Sequence, residues 1–337
     1  MNTSLSSSSM RAAVLQIEGE PLHLDSIPVP PLGHGQVRVR VHAAGLNPLD
    51  TKIRAGNAGH AQHPLPAVLG IDMAGIVEAI GRGVDNVRPG DEVFGMTGGV
   101  GGVQGSLAEY AVVDSALLAL KPATVSMREA AATPLVFITA WEGLVDRAKV
   151  GPGQQVLIHG GAGGIGHVAI QIAKAFGADV YATGEAEQQD YIESLGATFI
   201  DFRRHTVAHY VAEHTEGAGF DLIFDTVGGA TLDDSFRAIR KYRGHVVSAL
   251  GWGTHSLAPL SFRAGTYSGV FTLMPLQTGE GREHHGRIMR EAARLADAGQ
   301  LKLRLDPRRF SLDEAEDAYR LLESGGAQGK VVVDVVG

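Results

Sequence analysis

Between residues 156 and 183 the chain reads as an apolar strand, a glycine-rich turn, an amphipathic helix and a second strand. No other stretch restricts the fold as tightly. Val156-Leu157-Ile158 leads into His159-Gly160-Gly161-Ala162-Gly163-Gly164-Ile165-Gly166, and Val180-Tyr181-Ala182-Thr183 follows the helix. Gly161, Gly163 and Gly166 have the G-x-G-x-x-G spacing, whose glycines permit the tight turn, the close approach of backbone to pyrophosphate and the helix–sheet contact. The helix N-terminus adds unpaired N–H groups and a positive dipole end. Ile165, Val168, Ala169, Ile172, Ala173 and Phe176 recur at helical spacing, so one helix face packs on a sheet, and Gly177 stands where a C-cap belongs. The same glycines also suit a ligand-free βαβ turn. Their strand–loop–helix–strand context favours a dinucleotide site touched by Gly161, Ala162, Gly163, Gly164, Ile165 and Gly166.

Length and charge narrow the class. At 337 residues the chain suggests two domains. A hydrophobic content of 44% and a charged content of 20% are ordinary globular values. The net charge of −8 argues against a nucleic-acid partner, which needs clustered Lys and Arg. No apolar run approaches the ~20 residues of a membrane span. The Ser-rich residues 1–9 lack the apolar core of a signal peptide and read as a flexible tail on a cytoplasmic protein. Cysteine is absent, which excludes disulfides, Cys-based zinc sites, thiolate nucleophiles and iron–sulfur clusters. Chemistry is left to His, carboxylates, Lys, Tyr, hydroxyls or a bound cofactor.

From Met10 to about residue 120 the pattern is rich in strands and turns. Val37-Arg38-Val39-Arg40-Val41 alternates with period two, and Ala74 to Ile80 and Glu92 to Gly95 flank the turn Arg88-Pro89-Gly90-Asp91. Ser126-Met127-Arg128-Glu129 is a capping box that opens the helical part, and Pro134 to Asp146 extends it. Strand 221–225, helix 231–241, strand 245–248 and a long amphipathic helix over 282–299 then alternate, which predicts a parallel doubly wound sheet. A second capping box, Ser311-Leu312-Asp313-Glu314, opens a helix that ends before Gly325-Gly326, and Lys330 to Val336 reads as the closing strand.

Over its length from Met10 the sequence resembles the medium-chain dehydrogenase/reductase superfamily. The match is carried by Ala43-Ala44-Gly45-Leu46-Asn47-Pro48-Leu49-Asp50, Gly70-Ile71-Asp72, Ala74-Gly75-Ile76-Val77, Arg88-Pro89-Gly90-Asp91-Glu92-Val93, the glycine loop and Gly329-Lys330-Val331-Val332. Within it the chain is similar to the zinc-free quinone oxidoreductase branch that includes zeta-crystallin, of which Asn-Pro-x-Asp is the marker. The resemblance implies an α/β protein. It has a GroES-like β-rich catalytic domain over 10–133 and 300–337, a Rossmann doubly wound parallel-sheet domain over 134–299, and an active site in the cleft between them. Zinc-dependent relatives carry Cys where this chain has Asn47, and Gly-His-Glu where it has Gly70-Ile71-Asp72. The resemblance therefore implies no metal. His205 with His209 and His60 with His63 lack a third ligand and read as solvated pairs.

Without a metal, the resemblance implies hydride transfer from NADPH, with NAD an alternative, to a quinone or an alkene conjugated to a carbonyl. The oxyanion or enolate formed needs hydrogen-bond donors and a proton. Asn47 is implied near the nicotinamide, although it also suits a turn before Pro48. Lys52 stands where many quinone oxidoreductases have Tyr, and Ala58 where they have another; plant enone and alkenal reductases look similar in carrying Lys after Asn-Pro-x-Asp. Lys52 is thus a candidate for enolate stabilisation, or else a solvated lysine beside Arg54. Thr183 replaces the Asp of NAD-specific relatives, Glu185 has room to point into solvent, Gln188 replaces a Lys, and Phe202 lacks a Tyr hydroxyl. Arg203 or Arg204 can reach a 2′-phosphate, and the balance favours NADPH. Further cofactor contacts carried over are Thr139, Val227, Leu250, Phe271, Leu273 and Lys330. The partners implied are a small-molecule quinone or enone and further copies of the chain, in a homodimer or homotetramer. Two alternatives stand beside this reading: a cofactor-binding protein with little catalysis, of crystallin or regulatory type, and an alcohol dehydrogenase.

Overall fold

The computed structural model describes residues 9–336. Residues 1–8 of the expected tail lie outside the described residues, and Ser9 opens the strand Ser9–Leu15. The chain divides into two units: Met1–Leu135 with Leu273–Gly299 and Leu303–Gly337, and Val136–Thr272 with Gln300–Lys302.

The first unit is β-rich. Its central strand, Gln36–Gly45, buries Val37, Val39 and Val41 completely and leaves Arg40 exposed, as period-two alternation requires. This strand pairs with Asp72–Ile80, Tyr110–Asp114 and Val332–Asp334 within a seven-stranded sheet. The far end of the sequence thus supplies an inner strand of the sheet. That strand is shorter than the sequence suggests, because Lys330 leaves the Gln36–Gly45 ladder. Its N–H donates to Arg304 O at 2.8 Å and its carbonyl accepts from Asp306 N at 2.9 Å. A separate three-stranded sheet orders His23–Pro28, Ser9–Leu15 and Ala67–Val68. Both capping boxes form, with Ser126 N donating to Glu129 Oε2 at 2.8 Å and Ser311 N to Glu314 Oε2 at 2.9 Å.

The helix Arg282–Asp297 departs from the sequence reading, which set it in the parallel-sheet domain. It packs in the β-rich unit against Ser115–Leu117 and Ala119–Leu120. Gly286 sits so close that a Cβ would lie 2.2 Å from Ala116 O. Arg282 pairs with Asp114 at 2.9 Å, and Thr124 Oγ1 donates to Asp297 at 3.0 Å.

The second unit is a six-stranded parallel sheet. Its strands in chain order are β1 (Gln155–Ile158), β2 (Asp179–Gly184), β3 (Thr198–Asp201), β4 (Leu222–Asp225), β5 (His245–Ser248) and β6 (Thr266–Gly269). Their spatial order is β3-β2-β1-β4-β5-β6, the Rossmann order, whose ligand crevice opens at the carboxyl ends of β1 and β4 where the winding reverses. Leu157, Ile223, Val246, Phe220 and Phe236 share one buried cluster. Such near-continuous apolar strands are what a sheet covered on both faces needs. The helix expected over Pro134 to Asp146 runs as Pro134–Trp141 and continues in a wider turn, Glu142–Arg147.

Candidate active site

The turn after β1 is shaped around its own backbone. Gly160 has φ +70°. A Cβ on Gly166 would lie 2.1 Å from Gly160 O, and one on Gly161 2.7 Å from the Ala182 Cβ of β2. Only glycine allows the loop, the helix and the neighbouring strand to approach this closely. Gly161 N donates to Thr183 O at 2.8 Å, and Gly160 N to Thr183 Oγ1 at 3.1 Å. Ala162, Gly163, Gly164 and Ile165 face outward, and the helix Gly166–Ala175 starts with no side-chain cap. His167 N donates to Gly163 O at 3.1 Å, and the dipole end of the helix is left for an anion.

The other two strand ends are fixed by one carboxylate. Asp225, fully buried at the end of β4, accepts from Val227 N at 3.0 Å, Gly228 N at 2.9 Å and Ser248 Oγ at 2.7 Å. Ser248 Oγ in turn accepts from Leu250 N at 3.1 Å. The loops carrying Val227 and Leu250 are therefore held together, with the Val227 side chain exposed. His159 is buried beside them. Burial pushes its imidazole down to about 4, its Nδ1 meets Thr183 Oγ1 at 3.3 Å, and its Nε2 has no hydrogen-bond partner among the described residues.

A cavity of about 840 Å³ opens here, lined by His159, Gly160, Thr183, Arg203, Arg204 and Val227 among others. Thr183 spends its hydroxyl on the glycine loop. Glu185 stays partly exposed beside an exposed Arg203, and its carboxylate accepts from Arg203 Nε at 3.0 Å and from Nη2. Gln188 Oε1 caps the Glu185 N–H at 3.0 Å. Arg204 is mostly exposed and 3.4 Å from Asp201. Of the other expected contacts, Thr139 is buried on the helix Pro134–Trp141, and Phe271 meets Trp252 edge-on with centroids 6.4 Å apart. Leu273 is buried and groups with the β-rich unit.

The β-rich unit holds a buried polar cluster. Asn47 caps the helix Pro48–Arg54, and its N–H donates to Asp50 Oδ2 at 2.8 Å. Its Nδ2 donates to Asp72 Oδ2 at 2.9 Å, and Lys330 Nζ donates to its Oδ1 and to Leu46 O, the latter at 2.9 Å. Asp72 also accepts from Leu135 N at 2.9 Å and stands 4.0 Å from the ammonium. Burial pushes Asp50 up to about 7 and Asp72 up to about 6, and it lowers Lys330. One ammonium faces two carboxylates that share its compensation. Asn47 is thus fully enclosed, whereas Lys52 lies exposed on the outer side of the same helix. The two residues carried over as catalytic point to different surroundings.

Comparison with known proteins gives the family. Residues 33–123 match the alcohol dehydrogenase GroES-like domain, and residues 195–333 match the zinc-binding dehydrogenase family. The chain is 35% identical over 321 residues to an NADPH-dependent alkenal/one oxidoreductase of Arabidopsis thaliana, covering 93% of this chain and 75% of that protein. The chain belongs to the medium-chain dehydrogenase/reductase superfamily. Among solved members of similar fold is an alcohol dehydrogenase superfamily protein from Novosphingobium aromaticivorans, with TM-score 0.95 and 55% identity over 97% of this chain and all of that one. Another is the quinone oxidoreductase of Coxiella burnetii, with TM-score 0.81 and 29% identity over 98% of this chain and all of that one.

Three elements of this dehydrogenase/reductase escaped the sequence reading: the Asp225–Ser248 clamp, the Lys330–Asn47–Asp72 linkage and the Glu185–Arg203 pair. Asp225 left a signal, as an acid that closes the apolar run Leu222-Ile223-Phe224 just before Gly228-Gly229. The other two pairings are long-range or depend on side-chain direction.

Proposed function

We propose that the chain is an NADPH-dependent, metal-independent reductase of α,β-unsaturated carbonyls, with quinones as the second substrate class. The observation that carries this reading is the uncapped helix N-terminus at the glycine loop. Beside it, a cavity that reaches the start of the loop at His159 and Gly160 has Arg203 and Arg204 in its wall and no acid at Thr183. The name of the Arabidopsis thaliana relative supports alkenals and enones, and that of the Coxiella burnetii structure supports quinones.

Bound NADPH supplies a hydride to an electron-poor carbon. The glycine loop and the helix N-terminus after it would hold the diphosphate, with Gly163 N spent on Gly160 O at 3.0 Å to keep the loop's turn. Asp225 keeps the Val227 and Leu250 loops at fixed height beside it. Arg204, and Arg203 once released from Glu185, receive the 2′-phosphate. Zinc has no fitting ligand set here: the Asn47 amide stands where thiolate is needed and the Ile71 side chain where imidazole is needed, and the Lys330 ammonium already lies against Asn47 and 4.0 Å from Asp72. We assign enolate stabilisation to Lys52, whose exposed ammonium makes no ion pair among the described residues. The outer strand β6 and the exposed Tyr242 and Phe262 support self-association into a homodimer.

The test is NADPH oxidation by the purified protein with a simple 2-enone and a simple quinone in parallel. Turnover of the enone, lowered in kcat by Lys52→Ala, supports the reading in full. Turnover of the quinone alone moves the protein to the second substrate class. NADPH binding without oxidation of either substrate makes it a cofactor-binding protein.

A further inference from the structure

The helix Val207–Thr215 begins after Thr206, whose hydroxyl accepts from His209 N at 3.3 Å. His205, His209 and Glu213 are spaced by four residues, so they rise along one face of this segment. Each offers one ligand atom, an imidazole nitrogen or a carboxylate oxygen, and the three atoms lie within 4.8 Å of one another. Among the described residues no other group of three His, Cys, Asp or Glu brings its ligand atoms this close. His209 Nε2 and Glu213 Oε2 are 3.2 Å apart, and the two imidazole centroids 4.5 Å apart.

Two ligands of one tetrahedral zinc ion stand about 3.3 Å apart, given zinc–nitrogen distances of about 2.0–2.1 Å. The side chains of His209 and Glu213 are more than half exposed, so rotation within their rotamer wells closes the remaining distance. A second observation favours an ion here. A cavity of about 240 Å³ opens beside the cluster and is walled by His205, Glu213, His214 and Asp201. It leaves room for water in the ligand position that three protein donors do not fill. His214 adds a further imidazole, 3.9 Å from Glu213 Oε2.

We propose that His205, His209 and Glu213 form a divalent transition-metal site on the surface of the dinucleotide-binding unit. Two imidazoles and a single carboxylate suit zinc, nickel or copper. Magnesium and calcium need more oxygen ligands than the cluster provides. The site is separate from Asn47 and Asp72, where zinc-dependent relatives hold their metal. A bound ion ties His205, ahead of the N-cap, to the second turn of the helix, so it stabilises the folded state by binding it selectively.

The experiment is isothermal titration of the chelator-stripped, full-length protein with zinc chloride and, in parallel, magnesium chloride, together with thermal melts. The expected result is one saturable zinc ion per chain, a raised Tm with zinc, and neither effect with magnesium. His209→Ala and Glu213→Gln, both at exposed positions, should each weaken zinc at least tenfold. Melts of the stripped variants check that they remain folded. With 14 histidines in the chain, adventitious ions are the rival outcome. Absence of a saturable zinc event, or a zinc affinity that both variants leave unchanged, overturns the proposal.

Discussion

The glycine-loop cradle and the Asn47 cluster are both polar sites in apolar surroundings, yet they treat their polar groups in opposite ways. In the cradle the helix N-terminus is left uncapped, and the strand ends around it are immobilised by Asp225. In the cluster every polar atom of Asn47 is engaged, and Lys330, Asp72 and Asp50 close around it with almost no exposure. An open set of backbone donors is what a ligand can complete. A closed set of side chains stabilises only while all its members are present. Alterations in the two regions should therefore fail in different assays.

The largest effect is expected at Lys330. Lys330→Met leaves Asp72 and the Asn47 carbonyl without their cation, which should cost about 3–5 kcal/mol in urea unfolding. Asp72→Asn on top of it should restore part of that loss. A single variant as stable as the parent would show that the cluster is not closed in the way described. Next comes the pH dependence at Asp50. Its folded value, about 7, lies above its ordinary value of 3.8, so the folded protein holds that proton more tightly than the unfolded chain. The resulting stability is complete below about pH 4 and is lost as pH rises through about 7. Asp50→Asn keeps the acceptor for Asn47 N and should gain on the order of 2–4 kcal/mol over the parent between pH 4 and pH 8. Parallel stability profiles would break the assignment.

In the cradle the readout shifts from unfolding to binding. Gly166→Ala, forced against Gly160 O, should weaken NADPH at least tenfold in a fluorescence titration, about 1.4 kcal/mol. Equal weakening of an unrelated surface ligand would point to general unfolding instead. The smallest effect is expected at Glu185. Glu185→Gln releases the Arg203 guanidinium, so the KM for NADPH should fall about threefold while that for NADH stays or rises. A rise in the NADPH value would mean that the pair itself holds the cofactor.

The same contrast decides what could be read from the sequence. The cradle is built from neighbours: strand, glycines and helix follow one another within Val156 to Ala175, and spacing alone reveals them. The cluster joins Asn47 to Asp72 and to Lys330 across sheet pairings that no local pattern encodes. Composition and periodicity placed the strand at 37–41 and the βα alternation correctly. They misplaced the helix Arg282–Asp297, because its apolar stripe shows that it packs but not on which sheet. The partner of Glu185 was out of reach for a similar reason: Arg203 belongs to the next strand–loop unit.

The strand Val332–Asp334 and the Lys330 beside it also set a timetable. A ribosome that has delivered residue 135 has made most of the β-rich unit, with its two acidic residues in place but neither their ammonium nor the inner strand on Gln36–Gly45. At about 5–20 residues per second, the missing pieces arrive about 10–40 s later. For that interval the nascent chain leaves the edge of Gln36–Gly45 unpaired over Ala43–Gly45, and the parallel-sheet unit has time to finish first. Birth order and folding order should then run opposite to each other, which a pulse-labelled proteolysis series on stalled chains can follow.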